Sequence, residues 1–161
     1  LSTKYGSIFD YYESLNLIKR KSVNKRIVIN DIKITFVPAN EEATVTIFIF
    51  EQNGKKLIYA PCDVKPFPNS RLFYDADYLI IGNTIIGNIL KNNFYLTKNN
   101  PLNLELFSFE EVLELKAKYN IQNVIITHLE EDWGKSYDDY LNYEKECIAI
   151  KFAYDGMTIE L

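Results

Sequence analysis

The first part of the chain carries short runs of β-branched and aromatic residues separated by polar turns. Residues 27–29, 32–37, 44–50 and 55–60 each have the composition of a β-strand. Asn30-Asp31 separates the first two runs, and Asn53-Gly54, the strongest hairpin signal in the chain, separates the last two. Residues 44–50 start with alternation and become continuously apolar, which favours a strand that becomes buried on both faces.

Helical spacing appears at the start of the chain and again in its second half. Ile8, Tyr11, Tyr12 and Leu15 would share one face of a helix over residues 7–15. Later in the chain, Ser108 and Glu111 form a capping box for a helix that Asn120 can end, and a further helix is predicted over residues 137–146.

Buried strands are predicted between and after these helices. They cover residues 78–81, 123–127, 147–152 and 157–161, with a turn at Asp155-Gly156 joining the last two, whereas the Asn-rich residues 83–103 predict a long loop or insertion. The alternation predicts an α/β layered fold, and 161 residues suit a single unit over residues 1–161.

Composition and charge argue against nucleic acid and membrane as binding partners of this protein. A net charge of -4 and an isoelectric point near 5.1 argue against a nucleic-acid surface, and no apolar run is long enough to span a bilayer. Two cysteines without zinc-type spacing, and no signal-peptide pattern at Leu1, predict a reduced, cytoplasmic protein. The first residue is not Met, so a fragment, a processed product, half of a split protein and a trimmed chain all remain open.

The candidate chemistry follows two predicted strands. His128 is the single histidine and comes directly after residues 124–127, while Asp63 follows residues 58–60. Ligands tend to bind at the carboxyl ends of strands in α/β folds, and an oxygen donor with a nitrogen donor suits a metal. Taken alone, a lone histidine is more often structural, and Asp63 before Pro66 also suits a turn.

The motifs around these residues resemble the metallo-β-lactamase superfamily of metal-dependent hydrolases. Ile126-Thr127-His128-Leu129 is similar to its last histidine motif, and Tyr59-Ala60-Pro61-Cys62-Asp63 to the strand that delivers its bridging aspartate. Residues 152–159 resemble the Phe-Asp-Gly-Met ending of the phosphoribosyl cyclic phosphodiesterase branch. The order of these motifs implies the C-terminal half of the fold, which is half of an αββα sandwich built from a mixed β-sheet with flanking helices.

The resemblance implies a role for each matching residue. Asp63 would bridge two divalent ions, zinc or manganese, and carry the catalysis, and His128 would bind the second ion. Glu41 stands where the family has another histidine ligand. Asp155 would lie in the outer shell of the site, although a plain hairpin turn is favoured there. Residues 130–132 could orient His128, although a solvated loop is the preferred interpretation.

Several elements of the family pattern are absent from the sequence. The His-x-His-x-Asp-His motif of the N-terminal half does not occur, and no histidine lies between Asn83 and Ser108, where these phosphodiesterases place one near the leaving group. The resemblance therefore implies a hydrolase of a small or cyclic phosphodiester that needs the missing half, in the same chain or another, with a homo-oligomer also open. The alternative is a non-catalytic binding or assembly module with a decayed metal site.

Overall fold

The chain folds around one mixed β-sheet. The computed structural model describes residues 6–20, 22–23, 25–39, 45–62 and 64–161. Within these ranges seven strands pair in the order β1-β2-β3-β4-β5-β8-β9, and β6 pairs with β7 in a separate short sheet. The strands are β1 (Arg26–Ile29), β2 (Ile32–Pro38), β3 (Thr46–Gln52), β4 (Lys55–Ala60), β5 (Tyr78–Gly82), β6 (Thr84–Ile85), β7 (Phe107–Ser108), β8 (Asn123–Thr127) and β9 (Ile150–Phe152).

Strands β1 to β4 form the antiparallel part of the sheet, and two tight turns set its register. Asn30 and Asp31 have φ values of 47° and 66°, and Asn53 and Gly54 have values of 50° and 77°. Positive φ at both central residues matches the twist of a two-residue hairpin, and Asn, Asp and Gly tolerate it best. Both predicted turns are therefore confirmed.

Strands β4, β5, β8 and β9 form the parallel part. Ala60 lies beside Ile81, and Ile81 beside Ile126, so the carboxyl ends of three neighbouring strands reach the same edge of the sheet. Phe152 of β9 continues the same row. The mixed sheet and the helices that follow β5 and β8 agree with the predicted α/β class.

The helices are α1 (Gly6–Ser14), α2 (Leu102–Glu105), α3 (Phe109–Lys118) and α4 (Tyr137–Glu146). The predicted capping box at Ser108 is present, since its hydroxyl accepts from the Glu111 N–H and the Glu111 carboxylate accepts from the Ser108 N–H. A second capping box joins Ser136 and Asp139. The bounds predicted for α4 match the structure.

One face of the sheet supports the main core. Ile47, Ile49, Ile58, Leu79 and Ile126 are at most 1% exposed and belong to one buried cluster with apolar residues of α3. Aromatic rings link the elements, with Phe109 of α3 stacked on Phe152 of β9 at 6.3 Å between ring centroids. The core therefore joins the parallel strands to both long helices.

Three predicted elements need correction. Residues 83–103 are not a plain loop, because they contain β6, a short helical turn at Lys91–Asn93 and the start of α2. The strand predicted over residues 147–152 is reduced to β9 because α4 extends to Glu146 and a turn follows it. Residues 157–161 alternate in burial but form no strand, because they have no ladder partner among the described residues.

The described part of the chain contains no helix that is both long and apolar enough to cross a membrane.

Candidate functional site

The candidate site lies at the carboxyl edge of the parallel strands. Thr127 ends β8 beside Gly82 at the end of β5, and Ala60 ends β4 on the other side of β5. The next residues along the chain lead to His128 and Asp63. Asp63 and Glu41 both lie outside the described residues, so their predicted roles stay predictions. The strand order nevertheless brings the end of β4, which leads to Asp63, to the edge where His128 lies.

A close backbone contact positions the segment that leads to Asp63. A Cβ atom built on Gly82 would lie 1.5 Å from the Pro61 carbonyl oxygen and 3.4 Å from the Cys62 backbone nitrogen. Only glycine permits this approach, because any side chain would occupy the space of the Pro61 backbone. Gly82 therefore lets the residues after β4 cross directly against the end of β5.

His128 has an unusual backbone conformation. Its φ is 54°, in the left-handed region that residues other than glycine and asparagine seldom adopt. Its Nε2 lies 2.9 Å from the Glu130 Oε1, and its side chain is about half exposed. Thr127, His128, Tyr154 and Asp155 line one cleft of about 320 Å³. The turn at Asp155 thus borders the same cleft as His128.

The contact with Glu130 suits a histidine that uses its other ring nitrogen as a ligand. Ligating histidines usually direct one ring nitrogen to a carboxylate, which fixes the ring and leaves the second nitrogen for the metal. Glu130 contacts the His128 ring in this way, whereas Glu131 and Asp132 are exposed, so an orienting role stays a prediction for Glu130. Among the described residues, no three His, Cys, Asp or Glu side chains are placed to hold a metal ion. The described donors therefore fit only part of a metal site.

A partly buried lysine, Lys65, holds the segment that follows Asp63 in place. The Lys65 ammonium donates to the carbonyl oxygens of Asn103 and Leu106 at 2.7 and 3.0 Å and to both Glu111 carboxylate oxygens at 2.7 Å. The same ammonium lies 5.3 Å from the centre of the Phe107 ring. These contacts satisfy all its donors and tie the chain after β4 to the start of α3. This network could not be predicted from the sequence, because a lysine 46 positions from its glutamate gives no local signal.

A second cleft adjoins His128 on the side of Asn83. The Asn83 N–H donates to the Thr127 carbonyl at 3.1 Å, and Asn83 and Glu130 both line this cleft, whose volume is about 490 Å³. Trp133 forms a further part of the wall. At the rim, the Lys91 ammonium contacts Glu131 and lowers the pKa of that carboxyl below its usual value. The cleft and the histidine thus share Glu130.

The opposite face of the antiparallel strands is aromatic and only partly covered. Phe36, Phe48 and Tyr59 lie side by side on three strands, with ring centroids 5.6 and 6.2 Å apart along the row. Ile34, Phe50 and Leu57 form the neighbouring row on the same face. We call these six residues the aromatic face. None of them is fully buried, and Tyr59 is 36% exposed.

Known structures share this fold. Zinc-bound PqqB from Methylobacterium extorquens matches with a TM-score of 0.63 and 16% identity, covering 97% of this chain and 60% of that one. A diphosphatase from the PhnP family matches with a TM-score of 0.62 and 13% identity, over 98% of this chain and 53% of that one. The metallo-β-lactamase fold protein YhfI from Bacillus subtilis matches with a TM-score of 0.59 and 13% identity, over 92% of this chain and 60% of that one.

These similarities show the metallo-β-lactamase type of fold, a mixed sheet with flanking helices, as the motifs predicted. The chain spans 53% to 60% of the length of these three structures. No protein-family model matches the sequence, and no curated protein does so. The fold is therefore shown by three-dimensional similarity, and the motifs around Asp63 and His128 agree with it.

Proposed function

We propose that this chain is the C-terminal half of a metal-dependent hydrolase that acts on a small or cyclic phosphodiester. The observation that carries the proposal is His128 at the carboxyl edge of the parallel strands, with Glu130 against its ring. Strand β4, which leads to Asp63, ends at the same edge with only β5 between it and β8. One of the similar structures is a diphosphatase from the PhnP family, which favours phosphate chemistry over other hydrolyses.

Each residue has a specific role in this proposal. Asp63 would hold both divalent ions, His128 would hold one of them, and Glu41 would take the place of a further histidine ligand. When bound, zinc or manganese would offset the negative charge that a phosphodiester develops during hydrolysis. Glu130 orients the imidazole. Asp155 lines the same cleft as His128 and would help to orient the metal ligands without binding an ion itself.

The remaining ligands come from the companion half of the fold, which also covers the aromatic face. Apolar sheet faces in soluble proteins normally pack against a second layer, and two stacked sheets lie about 10 Å apart. Residues 157–161 cross part of this face, since Leu161 borders a groove with Phe50 and Leu57. That narrow segment leaves Tyr59 exposed, so the face suits a broader cover.

Two observations favour a non-catalytic module as the second candidate. No cluster of three metal-binding side chains exists among the described residues, and Glu41 replaces a histidine ligand of the family. In such a protein the aromatic face would serve assembly alone. Metal-dependent activity of the completed fold separates the two candidates.

The test uses this chain combined with the polypeptide that supplies the companion half, with zinc or manganese added. We expect hydrolysis of bis(p-nitrophenyl) phosphate by the combined protein and background rates for this chain alone. Asp63→Ala should return the rate to background, because it removes a ligand of both ions. His128→Asn should do the same while tolerating the left-handed backbone at that position.

Asp155→Asn is the matched control, since it lies in the same cleft but contacts no ion directly in this proposal. The Asp155→Asn protein should hydrolyse bis(p-nitrophenyl) phosphate only about tenfold more slowly, the loss expected when a residue that orients metal ligands is changed. Full activity of the Asp63→Ala protein would contradict the assigned role. A folded but inactive combined protein, with metal bound or not, would favour the assembly module.

A further inference from the structure

Polar atoms without partners concentrate beside the cleft that adjoins His128. Three buried side-chain polar atoms lack a hydrogen-bond partner in the part of the chain that the structure describes, namely Asn83 Oδ1, Thr84 Oγ1 and Trp133 Nε1. Asn83 and Trp133 line the cleft, and Thr84 is next to Asn83 in the chain. Buried polar groups are nearly always paired in folded proteins, and a ligand that supplied the missing partners would account for this concentration.

The residues that line this cleft indicate the polarity and the charge of a ligand that would fit it. Leu90, Phe94, Leu102 and Leu106 give it apolar walls. Trp133 contributes an unpaired donor and Asn83 an unpaired acceptor. Glu130 and Asp132 stand at the cleft with Lys91, whose ammonium already contacts Glu131. Two carboxylates thus line the cleft, one of them against the His128 ring, whereas the ammonium of Lys91 is already in contact with Glu131. This balance of charge disfavours an anionic group inside the cleft.

We propose that this cleft binds the organic part of the substrate, a neutral heteroaromatic ring of the nucleobase type. A ring donor would pair with Asn83 Oδ1 and a ring acceptor with Trp133 Nε1 after a small side-chain adjustment that opens each atom to the cleft. The ring faces would pack on the apolar walls, including Phe94. The anionic phosphodiester would then extend toward His128, because Glu130 borders both places. The placement beside His128 rests on the proposed function, whereas ring binding does not.

The chain carries a built-in probe of this cleft. Trp133 is the single tryptophan, so its fluorescence reports on the cleft without labelling. We would titrate this chain, without metal, with adenosine, guanosine, cytidine and uridine, and with ribose 5-phosphate as a probe that lacks the ring. At least one nucleoside should change the Trp133 emission with a saturating curve. Ribose 5-phosphate should leave it unchanged.

Neighbouring aromatic residues supply a matched pair of variants. Phe94 and Tyr95 are 54% and 59% exposed, but only Phe94 lines this cleft. Phe94→Ala should weaken nucleoside binding about fivefold or more, the effect expected from losing a stacking contact. Tyr95→Ala should bind as the parent chain does. Both variants should keep the parent circular dichroism spectrum and melting temperature, because both side chains are largely exposed.

Distinct outcomes separate this inference from the proposed function. A flat titration with all four nucleosides overturns the inference, as does equal weakening by Phe94→Ala and Tyr95→Ala. Saturable binding that ribose 5-phosphate reproduces also overturns it, because a sugar phosphate would then be the preferred group. Since no metal and no hydrolysis enter this measurement, an inactive combined protein would leave the result for the cleft intact.

Discussion

The two faces of the sheet differ in how completely the chain covers them. On the face toward α3, Ile81 and Ile126 of the parallel part and Ile47 and Ile49 of the antiparallel part are at most 1% exposed. On the opposite side, the aromatic face keeps Tyr59 exposed, and at the edge of the sheet Val28 is 64% exposed. The core face is thus closed within this chain, whereas the aromatic face is where the proposed companion half would pack.

The largest expected effect comes from two adjacent residues that point to opposite faces of β5. Ile81 is fully buried in the core, while Ile80 faces the other side of the sheet and is partly exposed. Ile81→Ala should lower the free energy of unfolding by about 2–5 kcal/mol, because it leaves a cavity in a packed core. Ile80→Ala should cost clearly less in this chain. Urea denaturation measures both, and equal losses would contradict the difference between the faces.

Gly82→Ala tests the close contact between the end of β5 and the backbone of Pro61 at the candidate site. The added methyl group would collide with the Pro61 backbone, so the segment that leads to Asp63 must move. We expect a loss of about 1–3 kcal/mol in the free energy of unfolding, typical of overpacking. The combined protein should also bind metal more weakly, because the segment that leads to Asp63 is displaced. Gly54→Ala is the control, since its Cβ would meet no atom within 4 Å. It should leave metal affinity unchanged despite the strain of its positive φ.

Asp77 joins the two parts of the sheet and makes stability depend on pH. Its carboxylate accepts from the Lys56 N–H at 2.8 Å and from the Lys55 ammonium at 3.2 Å. These donors hold the pKa of Asp77 below its usual value, the Lys56 N–H more strongly. The ionised carboxylate therefore stabilises the fold at neutral pH, and this contribution disappears as the pH falls through the lowered pKa.

Asp77→Asn should accordingly cost about 1–3 kcal/mol at neutral pH, where a charged hydrogen-bond acceptor is lost. In acid the native residue also becomes neutral, so the unfolding free energies of the two proteins should converge. Denaturant titrations across the acidic range check this. A constant difference at every pH would show that Asp77 acts through its shape alone.

The smallest effect is expected at the edge of the antiparallel part. Val28→Thr replaces an exposed side chain with one of similar shape and good strand propensity. The free energy of unfolding should change by no more than about 0.5 kcal/mol, as for most exposed positions. Thermal denaturation provides the measurement. A loss as large as that of Ile81→Ala would mean that this edge is packed more tightly than the structure indicates.

Local chemistry explains which elements could be predicted from the sequence. The turns at Asn30-Asp31 and Asn53-Gly54, the capping box at Ser108 and the helix α4 depend on residues close together in the chain. Residues 157–161 have the alternation of a strand, but a strand also needs a partner, and a sequence pattern does not supply one. The short pairing of β6 with β7 was missed because it joins residues 23 positions apart.

At the candidate site, too, features set by neighbouring residues could be predicted, whereas those set by distant residues could not. The position of His128 at a strand end followed from the apolar run before it. Its left-handed backbone and its contact with Glu130 depend on how the chain turns after β8. The cleft beside Trp133 could not be predicted, because it combines segments around Asn83, Leu102 and Glu130 that meet only in the folded chain.

The central claim is that this chain carries part of a metal site and that the companion half completes it. Calorimetric titration of this chain with zinc tests the claim most directly. Catalytic zinc sites usually have three protein ligands, and this chain has the family's donors only at His128 and Asp63, with Glu41 in place of a histidine and no His-x-His-x-Asp-His motif. We predict weak binding by this chain alone and tight binding after the companion half is added. Tight stoichiometric binding of zinc by the isolated chain would contradict the account.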